Sequence, residues 1–96
     1  MLSQVYHVIR SRTDGKYLVA RPQADDDRPE LSYLLLFRAD YEALSYLNTH
    51  GADMRSHFAV ESVVGNQVAA IVHRWGFHGI GLVLDPLIPS VEFMSI

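Results

Sequence analysis

Residues 67–85, QVAAIVHRWGFHGIGLVLD, constrain the fold of this chain more than any other stretch. Val68, Ile71, Val72 and Trp75 recur at i, i+3, i+4 and i+7, which is one face of an α-helix. Gly76 follows where a helix can leave through a left-handed residue. Ile80, Leu82, Val83 and Leu84 then make a β-rich apolar run that stops at Asp85-Pro86. A helix, a short turn and a buried strand in so few residues pin a core. On this reading Trp75 belongs to the core stripe and packs under the sheet.

The remaining elements assemble around that unit. Residues 2–9 carry Val5, Tyr6, Val8 and Ile9 and read as a first strand. A polar break at 10–15 ends in Asp14-Gly15, a turn signal. Tyr17, Leu18, Val19 and Ala20 form a second strand, expected to pair antiparallel with the first and to end at Pro22. Residues 23–30, with Asp25, Asp26, Asp27 and Pro29, are a solvated acidic loop. Residues 31–37, LSYLLLF, are almost continuously apolar, as in a central strand covered on both faces.

Asp40 is placed to cap a helix running through Asn48, with Tyr41, Leu44 and Leu47 on one stripe that Ala43 widens. A short polar connection leads to a strand with Phe58, Val60, Val63 and Val64. Asn66 then serves as N-cap of the second helix. Leu87-Ile88-Pro89 is an apolar loop, and residues 91–96 close the chain as a terminal strand. The order β-β-β-α-β-α-β-β predicts an α+β fold in one domain, residues 1–96: a small mixed β-sheet with two helices packed on one face.

Composition narrows the function classes. A formal net charge of −3 and a single lysine, Lys16, argue against a nucleic-acid partner, which needs clustered cations. No apolar stretch approaches the roughly 20 residues that span a bilayer, and the first residues do not read as a signal peptide. The absence of cysteine removes disulfide and thiolate chemistry and is compatible with a reducing, cytoplasmic setting.

Three features run from Leu31 to the end of the chain. An apolar strand ends in Phe37 and leads into a helix with Ala43 and Tyr46-Leu47; a second amphipathic helix ends near Gly76; and Gly81-Leu82-Val83-Leu84-Asp85-Pro86 follows. Together with the Asp14-Gly15 hairpin, this pattern resembles the amino-terminal domain of the SseB family, named for enhanced serine sensitivity. Asp85 stands where the family tends to have Asn, and the run Asp25 to Asp27 and the pair Arg74-Trp75 are departures. The resemblance implies a mixed-sheet α/β domain with a regulatory or interaction role, and it supplies no catalytic residues.

None of His7, His50, His57, His73 and His78 falls into HExxH or another dense ligand spacing, so no metal or cofactor is expected. Ser62 lacks the glycine that a nucleophile elbow requires, and no catalytic residue is assigned. The leading reading is a non-enzymatic regulatory or protein-interaction domain that binds a protein partner or associates as a homodimer. Its interface candidates are Tyr33, Tyr41 and Tyr46 beside the first helix, and Phe93, Met94 and Ile96 on the last strand. The alternative is a small-molecule or metal-binding domain that uses His73, Arg74 and His78 around the helix end together with Asp85.

Overall fold

A computed structural model describes residues 4–22, 31–88 and 90–95. The acidic run Asp25, Asp26 and Asp27, together with Pro89 and Ile96, lies outside the described residues. Along the chain come β1 (Val5–Ser11), β2 (Val19–Ala20), β3 (Tyr33–Phe37), α1 (Asp40–His50), a 3-10 segment (Ala52–His57), β4 (Phe58–Val64), α2 (Gly65–Trp75), β5 (Gly79–Asp85) and β6 (Ser90–Ser95). This is the expected order, with the polar connection after α1 wound into a 3-10 segment. The sheet is mixed, with strands in the order β4-β1-β3-β5-β6. β3 and β5 are parallel, while β1 runs antiparallel to both β3 and β4.

β3 is the centre of the molecule, as its apolar run predicts, and it decides where the helices go. Leu34 and Leu36 join Val68 and Val72 of α2 in one buried cluster. Leu35 and Phe37 join Ala43 and Leu47 of α1 in another. Because side chains alternate across a strand, the two clusters lie on opposite faces. The helices therefore cover one face each, and the expectation that both pack on one face is corrected. The physical reason is already in YLLLF: consecutive apolar residues leave two faces that must each be shielded from water.

β1 and β3 are joined only at His7 and Phe37 and then diverge, and the chain fills the fork between them. Tyr17 makes an isolated antiparallel bridge to Arg10. Leu18 takes a bond from each side: its N–H donates to the Ile9 carbonyl at 2.8 Å, and its own carbonyl accepts from Leu35 N–H at 3.3 Å. Val19 and Ala20 then pair antiparallel with β3 rather than β1, which corrects the expected hairpin partner. A run of four strand-like residues suggests one pairing. Two neighbours competing for its hydrogen bonds divide it instead.

The helix ends follow local chemistry. At the start of α2 it is the Gln67 side chain that accepts the Val64 N–H at 2.8 Å, and Asn66 already lies within the helix. At its end Gly76 adopts φ 71°, Phe77 N–H reaches the Val72 carbonyl at 3.0 Å and Gly76 N–H reaches that of His73 at 3.3 Å. These paired bonds form a Schellman ending, and the apolar Phe77 folds back on the cluster that contains Val72. Trp75 does not join that core. It is 39% exposed, with its ring set against Tyr17 and Phe77.

Candidate interaction surface

The residues that the sequence grouped around the α2 terminus do not form one site. His73 and Arg74 are exposed in the last helical turn, where cations meet the negative end of the helix. His78 lies just before β5; its ring meets Tyr33 edge-on at 5.3 Å and its Nε2 is 2.9 Å from Ser95 Oγ. Asp85 closes the far end of β5, about 20 Å away at the usual strand rise of roughly 3.3 Å per residue. There its Oδ1 accepts the Leu87 N–H at 2.9 Å and shapes the following loop. His78 and Asp85 therefore cannot hold the same small ligand, and the combined His73, Arg74, His78 and Asp85 site is not assembled. Among the described residues, no three His, Asp or Glu side chains gather as metal ligands.

The three tyrosines also separate. Tyr33 on β3 meets Phe93 of β6 with ring centroids 5.0 Å apart. Tyr46 is half-buried against Phe37 at 5.4 Å and His50 at 4.7 Å, and burial pushes its phenol pKa above the usual 10.0. Tyr41 is 67% exposed. The inward stripe of α1 is Ala43, Tyr46 and Leu47, so Tyr41 and Leu44 fall outside it.

Phe93 and Met94 both lie on the hairpin of β5 and β6, on opposite faces of it, since Phe93 pairs with Gly81 and Met94 with Ile80. β6 is the terminal strand of the sheet, with no strand beyond it among the described residues. Among the described residues, five of the ten large apolar side chains that face solvent, Leu84, Leu87, Ile88, Phe93 and Met94, sit on this hairpin and its loop. That concentration separates β6 from the other end strand, β4. Phe58 and Val60 of β4 pack into the α1 cluster and Val63 packs into the α2 cluster.

Two glycines set the hairpin's geometry. β6 passes so close to Gly79 that a side chain there would meet the Met94 carbonyl and, at 2.8 Å, Ser95 Cα. Over Gly81 the Phe93 ring fills the missing side-chain space, its Cε1 lying 3.1 Å from where a Cβ would stand. Phe93 is thus held from below by Gly81 and from the side by Tyr33, yet remains 38% exposed. Ser90–Ser95 carries a single charge, Glu92, and lacks the lysines or prolines that usually protect an edge.

Leu84, Leu87 and Ile88 were not foreseen as surface residues. Leu84 reads as core in an apolar run, but its side chain is 38% exposed. Leu87 and Ile88 carried the available signal, since two large aliphatic residues between Pro86 and Pro89 have no strand or helix in which to hide. No helix among the described residues is long and apolar enough to cross a membrane. Comparison with protein-family models, curated proteins and solved structures finds no match for this chain.

Proposed function

We propose that this domain is a non-enzymatic regulatory or interaction module that associates with a second copy of itself through the outer edge of β6. The observation that carries the reading is the gathering of exposed apolar side chains on the hairpin whose last strand has no strand beyond it among the described residues. An end strand keeps half of its backbone N–H and C=O groups pointing outward, and an antiparallel copy satisfies them. Two-fold pairing is also the commonest closure for a soluble homo-oligomer.

Charge selects the register. A pair centred on Glu92 would set two carboxylates opposite each other, which is unfavourable. Centring on Phe93 sets Phe93 against its own copy and Glu92 against Met94 of the partner, and relieves that repulsion. The likeness of residues 31–96 to SseB domains fits an interaction role, and the lack of cysteine fits the cytoplasmic setting that this reading assumes.

Sedimentation at micromolar concentration tests the proposal. The expected species has twice the 10.8 kDa chain mass, and Met94→Lys, which places a charge on the edge, returns it to a monomer with an unchanged circular dichroism spectrum. A species of 10.8 kDa at every concentration would overturn it.

A further inference from the structure

On the opposite side of the sheet from the β6 edge, α1 and β4 enclose an open cleft of about 470 Å³. Its apolar floor comes from Leu44 and Leu47 of α1 and Phe58 of β4, and its polar rim from Arg12, Asp53 and Arg55. The size falls within the range of small-molecule sites, and the lining combines apolar side chains with the polar Arg12, Asp53, Arg55 and Ser56. This position also accounts for Leu44, which faces solvent although it stands one residue from the buried Ala43.

The two arginines are the informative part. Arg10 is paired with Glu61 and the Gly15 carbonyl, and Arg38 with Glu42 and the Leu84 carbonyl. Arg12 and Arg55 have no ion pair or side-chain hydrogen bond among the described residues. Their backbones are nonetheless tied together. Arg12 N–H donates to the His57 carbonyl at 2.7 Å, and Ser11 pairs with Phe58, so the turn after β1 is stitched to the 3-10 segment that carries Arg55. Two unused guanidinium groups therefore stand on joined loops at the rim of an apolar floor.

With Asp53 beside them, the rim carries a formal charge of +1 within a chain of net charge −3. That balance suits a monoanion and disfavours a dianion such as phosphate, which Asp53 would repel. Guanidinium groups match the planar, two-oxygen geometry of a carboxylate. We infer that the cleft binds a monocarboxylate with an aliphatic or aromatic body, the carboxylate on Arg12 and Arg55 and the body on Leu44, Leu47 and Phe58. This site is independent of the β6 edge.

Titration of the ¹⁵N-labelled full chain with octanoate and with 3-phenylpropionate tests the assignment. Saturable shifts are expected at Leu44, Leu47, Phe58 and Arg55. Octanamide, equal in shape but uncharged, should bind about tenfold more weakly, as the loss of a charge-assisted contact requires. The Arg12→Gln/Arg55→Gln variant should lose the response while the rest of its spectrum stays in place, since both side chains are exposed. The inference is overturned if octanamide binds as tightly as octanoate, if inorganic phosphate competes equally, if the double variant responds like the parent, or if no saturable shift appears at the cleft.

Discussion

The indole of Trp75 meets the ring of Tyr17 edge-on, with centroids 5.4 Å apart and planes at 83°. The Arg10 guanidinium covers the same tyrosine, 4.8 Å from its centroid, and Phe77 stacks on the indole at 6.2 Å. Trp75 is thus the outer member of an aromatic layer that fastens the first hairpin to the end of α2.

That position sets the cost of removing it. Full burial would make Trp75→Ala cost about 3–5 kcal/mol. At 39% exposure, with the edge-on pair as its main contact, the loss should be about 1–2 kcal/mol. Urea melts of Trp75→Ala, Tyr17→Ala and the double variant should show a coupling of about 0.5–1.5 kcal/mol between the two rings.

Gly79 and Gly81 should respond unequally to alanine. At Gly79 the obstacle is the backbone of Met94 and Ser95, which cannot move without opening the β5–β6 ladder, so Gly79→Ala should cost about 1–3 kcal/mol or more. At Gly81 the neighbours within 3.0–3.3 Å are the ends of the Val91, Phe93 and Leu35 side chains, which can shift. Thermal melts that rank Gly81→Ala as the more damaging change would contradict this account.

The proposed register makes a covalent prediction that is clean because the chain has no cysteine of its own. Opposed Cβ atoms in an antiparallel pair come within about 5 Å, near the reach of a disulfide. Phe93→Cys should therefore form a covalent dimer under mild oxidation, while Val91→Cys, two residues from the centre, should not. Non-reducing electrophoresis reads the result.

Tyr46 predicts an alkaline limit. Burial raises its folded pKa above 10.0, so the folded state keeps the neutral phenol at a pH where the unfolded chain has already ionised. Its contribution to stability is complete below pH 10 and is lost as the pH rises through the raised folded value. Melting temperatures of the parent and of Tyr46→Phe should fall apart above pH 10, with the parent dropping faster.

Asp14 predicts the opposite limb. The Lys16 N–H donates to its Oδ1 at 3.0 Å, and with the Ser11 hydroxyl this lowers the carboxyl pKa below 3.8. The turn's contribution is present above that value and is lost as the pH falls through the lowered folded one. The Lys16 amide resonance should follow this titration, and Asp14→Ala should match the parent in the most acidic samples.

Much of the architecture was already written in local pattern. The period of Val68, Ile71 and Val72, the glycine at 76 and the apolar run after it are properties of neighbouring residues, and they determined α2, its left-handed ending and β5. The length and apolarity of residues 33–37 likewise determined a central strand. Tertiary structure decided everything that depends on which surfaces meet. It placed the helices on opposite faces because each side of β3 needed cover, and it set Trp75, partly exposed, against Tyr17. His78 and Asp85 were set at opposite ends of one strand, and Arg12 and Arg55 were brought to one cleft from loops more than forty residues apart. Periodicity reports which side of an element is apolar. Only the packed chain determines what stands opposite it, because that choice is made by competition among distant surfaces for the same contacts.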